Sequence, residues 1–372
     1  MTETDAEAGG NRRRFGRRRI TLVALFAALA ALYLNNASWL APEPPGEARL
    51  LAHRGIHQTF GREGLERDGC TANRMDPPSH PYLENTIPSM RAAFAAGAEI
   101  VEIDVHPTTD GEFAVFHDWT LDCRTEGRGV TRDARMAHLR TLDIGFGYTH
   151  DGGRTFPFRG RGVGMMPTLT EVLQTFPARQ FLINFKSRDP GEADQLVAYL
   201  RDRGLPTDER LIVYGHERPV DRLLALAPEA RGFAMSRVKS CALNYLGLGW
   251  SGHVPAACRG GFIAVPVNLR WAVWGWPNRF LQRMRDADVT VIVNGPFGGS
   301  GGTPGLDRVE DLNGVPLDFD GIIWTDMIET IGPPGRHGKP ARPGVRSLPP
   351  RTLREAPVAT DKRRPPSRHD GS

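Results

Sequence analysis

Between residues 50 and 332 the apolar positions keep two rhythms that alternate along the chain. Short dense runs at 50–53, 100–105, 113–116, 181–186, 211–214, 231–235, 262–267, 289–293 and 321–324 read as strands. Between them, stretches at 87–96, 169–176, 191–203, 220–226 and 279–286 predict helices. In the first of these, Ile87, Met90, Ala93 and Phe94 share the inward face, and Gly97 closes the helix. Strands alternating with helices over this length predict an α/β fold, a (β/α)8 TIM barrel rather than an open sheet. Nine candidate strands compete for eight places, so one is peripheral or misread. Residues 106–112 are too few for a helical crossover between the second and third strands, a departure from the βα repeat.

The flanks break the rhythm. Residues 20–42 carry no charge, and their dense apolar part is 20–34. At about 1.5 Å per residue such a segment just crosses a bilayer core. Arginines at 12–14 and 17–19 precede it, and Tyr33 and Trp39 fall where an outer aromatic belt would lie. The pattern predicts a transmembrane or signal-anchor helix at 20–41, with basic residues 1–19 in the cytoplasm. The rest then lies on the extracytoplasmic side of the cytoplasmic membrane, single-pass. No small-x-small cleavage site stands out at 35–41, which favours an uncleaved anchor over a signal peptide. Residues 42–49 form a stiff Pro-rich linker. Residues 333–372 are rich in Pro and Arg and read as a disordered basic tail.

Charge follows the same division. The net value is +4, but 1–19 hold +3 and 333–372 hold +7, leaving −6 for 20–332. The basic balance therefore lies in the flanks and does not point to nucleic acid as a partner of the domain. The four cysteines have no CxxC or Cys/His zinc spacing. In an exported domain an even count allows disulfides. Local pairing would join Cys70 to Cys123 and Cys241 to Cys258, but three connectivities stay open.

Candidate chemistry gathers at strand ends. Glu102 and Asp104 are two apart on one strand and face the same way. Two carboxylates on one buried face repel, and a divalent cation is the simplest offset. In a barrel the polar residues at C-terminal strand ends line the site. Here these are His53, Arg54, Glu102, Asp104, His117 and Lys186. Residues 56–83, a long polar segment with Cys70, read as a lid or substrate-selecting insertion in the 50–332 domain. Trp271, Trp274 and Trp276 read as packing residues, or as a wall for an acyl chain or glycerol face if exposed.

Taken together, "AHRG" at 52–55, "ENT" at 84–86, "EIDV" at 102–105, "TTDGEFAVFHD" at 108–118 and "DGIIWTD" at 320–326 resemble the glycerophosphodiester phosphodiesterase family. The resemblance spans about 50–330 and is strongest over 50–122. It implies a short connection between the second and third strands, and acid–base work by His53 and His117. It implies Arg54 beside the phosphate, Glu102 and Asp104 as metal ligands, and Glu84 and Asn85 as organising groups around the substrate. Phosphodiester hydrolysis needs charge neutralisation, a base, an acid and an in-line geometry. Imidazoles titrate near neutrality and suit the acid and base; Arg54 and Lys186 suit the phosphate. One departure matters. The family has a glutamate two residues before the strand-end lysine, and here that position is Asn184. An amide oxygen binds Ca²⁺, and less readily Mg²⁺, without contributing charge.

The expected activity is metal-dependent hydrolysis of glycerophosphodiesters or lysophospholipid-like substrates, with Ca²⁺ or Mg²⁺ held by Glu102, Asp104 and Asn184. Rivals are a phospholipase of the D or phosphatidylinositol type, and a catalytically inactive binding domain for phosphorylated envelope polymers. Head-group release with and without a chelator separates them.

Overall fold

A computed structural model describes residues 4–66, 69–298 and 304–337, with the backbone alone at 4–17 and 333–337. The first element, α1 (Thr4–Asn36), contains a 19-residue stretch, Arg18–Asn36, long and apolar enough to cross a membrane by length and composition. No residue of that stretch is buried. The helix stops at Asn36, short of the expected 41, where Ala37 turns extended and a 3-10 turn follows at Ser38–Leu40. The Asn36 side chain bonds back to Leu32 O at 2.9 Å, satisfying one of the last carbonyls. The linker at 42–49 is not free of the barrel: Pro44 is buried and Arg49 already belongs to the first strand. The cytoplasmic placement of residues 1–19 involves side chains that, up to residue 17, lie outside the described residues.

The remaining elements follow the alternation. β1 is Arg49–Ala52, then come α2 (Ile87–Ala95), β2 (Ile100–Pro107), β3 (Phe113–Val115), α3 (Met136–Leu139), α4 (Leu169–Thr175) and β4 (Gln180–Phe185). α5 (Gly191–Asp202), β5 (Leu211–Gly215), α6 (Glu217–Leu226), β6 (Arg231–Ala234), α7 (Met235–Leu248) and β7 (Phe262–Pro266) come next. α8 (Asn278–Asp286), β8 (Thr290–Asn294), β9 (Ile322–Thr325) and α9 (Ile328–His337) complete the chain. Helix α9 runs five residues into the segment expected to be disordered; 338–372 lie outside the described residues.

Eight strands form a parallel sheet in the order β6-β5-β4-β2-β1-β9-β8-β7. The ninth candidate is β3. It pairs antiparallel with β2 through Val105↔Val115 and Pro107↔Phe113, so the short connection is a hairpin and β3 is the peripheral strand. Among the described residues β6 and β7 share no ladder, so the barrel is nearly closed. The gap is filled by packing: the Phe233 and Phe262 rings lie 4.6 Å apart, in one cluster with Val238 from α7.

Strand periodicity sorts the side chains. Leu51, Ile100, Leu182, Ile212, Ile292 and Ile322 belong to the interior cluster of the barrel. The alternate positions Leu50, Val101, Ile103, Val105 and Ile183 join a larger core with Met90, Leu196, Leu223 and Phe280 of the helices. One step past the apolar floor, the inward positions become Glu102, Asp104, Asn184 and Tyr214. The loop-rich stretch 121–164 is not loose. Leu121, Leu139, Leu142, Tyr148 and Phe158 form a separate core with Met75 and Leu83 of the 56–83 insertion. Cys70 and Cys123 join these two segments, and Cys241 and Cys258 join α7 to the segment before β7. The structure thus selects the two local pairings. Helix α7 was not visible as a period because Leu243, Leu246 and Leu248 stand on its exposed side.

Candidate active site

The site begins where β1 ends. His53 takes the inward position two beyond Leu51, and the next two residues turn left-handed, Arg54 at φ 58° and Gly55 at φ 79°. Arg54 is held in that costly conformation by its backbone. Its N–H donates to Glu102 Oε2 at 3.2 Å, and its carbonyl accepts from Asn85 N at 3.0 Å and Ser89 Oγ at 3.2 Å. A side chain at Gly55 would meet Ser89 Oγ at 2.2 Å, so the third letter of the "HRG" run answers to the close approach of α2. That helix starts at Thr86, whose Oγ1 accepts from Ser89 N at 3.3 Å.

Glu102 and Asp104 are buried. Tyr214 OH donates to Glu102 Oε1 at 2.7 Å, and His53 Nε2 lies 3.8 Å from Oε2. Asp104 Oδ1 accepts from Asn184 Nδ2 at 2.8 Å and lies 3.3 Å from Lys186 Nζ. Its Oδ2 accepts from Asn85 Nδ2 at 3.0 Å and lies 3.5 Å from Arg54 Nε. Burial and then the charge of Asp104 push Glu102 up to about 8. Against burial, Lys186, His117 and Arg54 hold Asp104 well below the usual carboxylate range.

Each histidine is oriented through Nδ1. His53 Nδ1 lies 2.6 Å from Asp326 Oδ1, and His117 Nδ1 lies 2.7 Å from Asp118 Oδ1. Arg54 Nε donates to His53 Nε2 at 3.2 Å, so Nε2 carries the lone pair and Nδ1 the proton. Burial and then Arg54 lower His53 to about 4. Burial, Arg54 and Lys186 lower His117 as well. Both rings are therefore neutral at pH 7. Each orienting carboxylate is paired in turn with an arginine, Asp326 with Arg62 and Asp118 with Arg124. Arg124 is buried and also reaches Thr71 Oγ1 at 2.6 Å and Glu84 Oε2 at 2.9 Å. The other Glu84 oxygen accepts from Arg54 Nη1 at 3.1 Å. Against burial, Arg124 and Arg54 bring Glu84 down to about 2.

All nine residues singled out from the sequence meet in this one cluster. His53, Arg54 and His117 line a cavity of about 390 Å³ whose other wall is largely apolar, with Phe60, Leu65, Phe233, Val238 and Trp324. His117, Asn184 and Lys186 line a second space of about 580 Å³ that shares Gly69, Tyr214 and Met235 with the first. Glu84, Asn85, Glu102 and Asp104 are the buried support. Two buried polar atoms of cavity-lining residues, Asn294 Oδ1 and Trp324 Nε1, have no hydrogen-bond partner among the described residues. Of the tryptophans, Trp274 and Trp276 pack against the core and Trp271 is exposed. Sequence reasoning missed Asp118, Arg124, Tyr214, Arg62, His57 and Asp326. Asp118 and Asp326 end two of the quoted motifs, which was the available signal.

The donor chemistry bears on a metal. Glu102 and Asp104 are hard oxygen donors on one buried face, and a hard divalent cation would offset the burial and the Asp104 charge that push Glu102 up. Asn184 turns its amide N–H toward Asp104 and so acts as a hydrogen-bond donor in this arrangement. Glu84 is not available to replace the missing glutamate, because both its oxygens are engaged by arginines. Separately, ligand atoms of His53, His57 and Asp326 lie within 4.8 Å of one another, a group that could hold a metal ion. There His57 Nδ1 lies 2.9 Å from Gln58 O, and Arg62 already neutralises Asp326.

The Glycerophosphoryl diester phosphodiesterase family model matches residues 69–220, a span that includes Glu84, Asn85, Glu102, Asp104, His117, Asn184 and Lys186. The chain is 32% identical over 149 residues to a glycerophosphodiester phosphodiesterase of Caldanaerobacter subterraneus, covering 38% of this chain and 55% of that one. It is 34% identical over 128 residues to a glycerophosphodiester phosphodiesterase of Bacillus subtilis, covering 33% and 42%. The chain thus spans about half the length of these curated relatives. In structure it resembles the glycerophosphoryl diester phosphodiesterase domain of an uncharacterized Mycobacterium tuberculosis protein, with a TM-score of 0.54 at 16% identity over 77% of this chain and 98% of that one. A glycerophosphodiester phosphodiesterase from Agrobacterium tumefaciens superposes with a TM-score of 0.50 at 22% identity, over 78% and 99%. The shared architecture is the TIM barrel. Residues 69–220 are thus similar to the glycerophosphodiester phosphodiesterase family, as are the relatives that the chain matches in part.

Proposed function

We propose that this domain is a phosphoric diester hydrolase acting on glycerophosphodiesters or lysophospholipid-like substrates. One observation carries the reading: two neutral imidazoles, each oriented through Nδ1 by an arginine-held aspartate, line one cavity with Arg54 beside a buried carboxylate pair. Arg54 and Lys186 hold the phosphate oxygens. One imidazole takes a proton at Nε2 from the attacking hydroxyl, and the other, once it has taken up a solvent proton at Nε2 and become an imidazolium, gives that proton to the leaving oxygen. In the family this domain resembles, the attacker is often the neighbouring glycerol hydroxyl. Glu102 and Asp104 would hold a divalent cation, Ca²⁺ or Mg²⁺, whose charge would stabilise the phosphoryl oxygens. The aspartates keep each histidine in the tautomer with its lone pair on Nε2. The apolar wall of the first cavity favours an amphiphilic diester over a wholly polar one.

We also infer that α1 anchors the chain in the cytoplasmic membrane with the barrel, residues 50–332, outside. The flanking arginines and the joined cysteines support that side. The test is release of glycerol 3-phosphate or of the head-group alcohol from defined diesters, with and without Ca²⁺, Mg²⁺ or a chelator. His53→Ala and His117→Ala should each lower kcat by roughly two to four orders of magnitude while the fold survives. Folded variants with wild-type rates would remove the acid–base assignment. A wild type that binds diesters without turnover would favour a binding domain.

A further inference from the structure

The outer face of α7 is apolar where solvent would be its only neighbour. Its inner face is already spent: Val238, Cys241 and Tyr245 are buried, and Cys241 is tied to Cys258. Outside, Leu243 is 58% exposed and Leu246 41%, with Leu248 and Trp250 each at 49%. Leu243 and Leu246 are three apart and lie on one face of the helix, with Lys239 a turn before them. Elsewhere on the barrel the large exposed apolar side chains are scattered, a normal surface feature. Here they gather within one short stretch, which marks a contact surface.

What covers this face is indicated by what is attached to it. The apolar helix α1 has no cover of its own, and its last residues are fixed to the end of the same stretch. Asn35 Nδ2 and Asn36 Nδ2 both donate to Trp250 O, at 3.1 and 2.8 Å. Arg283 clamps the junction, donating to Asn35 O at 2.7 Å, Asn36 Oδ1 at 3.0 Å and Gly249 O at 3.0 Å. Trp39 and Leu40, just beyond, are exposed too. There is thus no flexible spacer between α1 and the barrel surface: where α1 stops, Trp250 and the leucines of α7 begin.

We propose that the outer face of α7, with Trp250, Trp39 and Leu40, lies in the outer surface of an anionic lipid bilayer. This rests on the reading of α1 as a membrane anchor. Tryptophan rings favour the headgroup level, leucines reach below it, and Lys239 meets anionic headgroups. Met235, at the start of α7, lines both cavities, so the immersed helix runs on to the rim of the candidate site. An amphiphilic substrate would then pass from the bilayer to the pocket along α7.

The test uses the full chain in vesicles of phosphatidylglycerol and phosphatidylethanolamine, part of the lipid brominated near the headgroup. Wild-type minus Trp250→Phe fluorescence isolates Trp250, since the variant keeps the backbone oxygen that binds Asn35 and Asn36. We expect that component to be quenched at least twofold. The Leu243→Glu/Leu246→Glu variant should remain in carbonate-washed vesicles yet lose most of that quenching. A chain that stays in the vesicles with Trp250 unquenched overturns the proposal and leaves the anchor reading intact. Cross-linking between copies through α7 in that state would identify a second chain as the cover, and also overturns it. A chain that carbonate strips from the vesicles removes the anchor and the proposal together.

Discussion

At the residue scale the site is a problem of buried charge. Glu84 lines neither of the two cavities yet holds Arg54 and Arg124 together, and Arg124 in turn holds Asp118 against His117. Its carboxyl lies at about 2 in the fold against an ordinary 4.5. The depressed value means that its stabilisation is whole above pH 4.5 and is lost as the pH falls through about 2. The shift corresponds to about 3 kcal/mol. Glu84→Gln should therefore cost about 2–4 kcal/mol near neutral pH, and the loss should shrink in acid. Denaturant unfolding at several pH values checks this, and an equal loss at every pH would contradict it. Asn184 poses the opposite question. In place of a carboxylate it donates to Asp104. Asn184→Glu removes that donor and adds a third negative oxygen. It should lower stability without metal and tighten Ca²⁺ or Mg²⁺ binding by about 1–3 kcal/mol. Calorimetric titration of both proteins decides; equal affinities would place residue 184 outside the coordination shell.

At the element scale, the insertion at 56–83 and the stretch after β3 act as one cap. Cys70–Cys123 closes a separation of 53 residues, and Arg124 beside it donates to Thr71 beside Cys70. The cap brings Phe60, Arg62 and Leu65 to the cavity and Arg62 to Asp326. Chain entropy alone assigns such a closure about 4 kcal/mol. Replacing both cysteines by alanine should lower the unfolding free energy by a few kcal/mol. It should also raise KM more than it lowers kcat, because the wall of the cavity loosens while the strand-end groups stay on the barrel. Steady-state kinetics beside thermal melts would read both; an unchanged KM would separate the cap from substrate binding.

At the scale of the whole molecule, α1 and the barrel are one piece through Arg283, so orientation follows from topology. A reporter fused after His337 should be active only on the extracytoplasmic side, given the arginines before the apolar stretch. Activity of that fusion in the cytoplasm would defeat the topology.

Much of this molecule was written locally. The runs that became β1, β2, β4 and β8 are short and dense in apolar residues, the pattern of strands buried on both faces. Glu102 and Asp104 share a face because strand side chains alternate, and the strand-end histidines follow from the same geometry. The sequence by itself therefore determined the barrel, the carboxylate pair and the two imidazoles. Four things were decided by tertiary structure. Asp326 orients His53 from 273 positions away, and Tyr214 caps Glu102 from 112 away, pairings no local pattern encodes. Which of the surplus strands left the ring was a matter of pairing register, which put β3 antiparallel on β2. The cysteine connectivity depended on which loops the cap core drew together. Asn184 was legible as a missing charge, but its turn toward Asp104 was not, since an amide offers a donor and an acceptor and only its neighbours choose between them. Alternation and periodicity are properties of a chain with itself, whereas the partner of a buried charge is whichever distant group the closed barrel brings within reach.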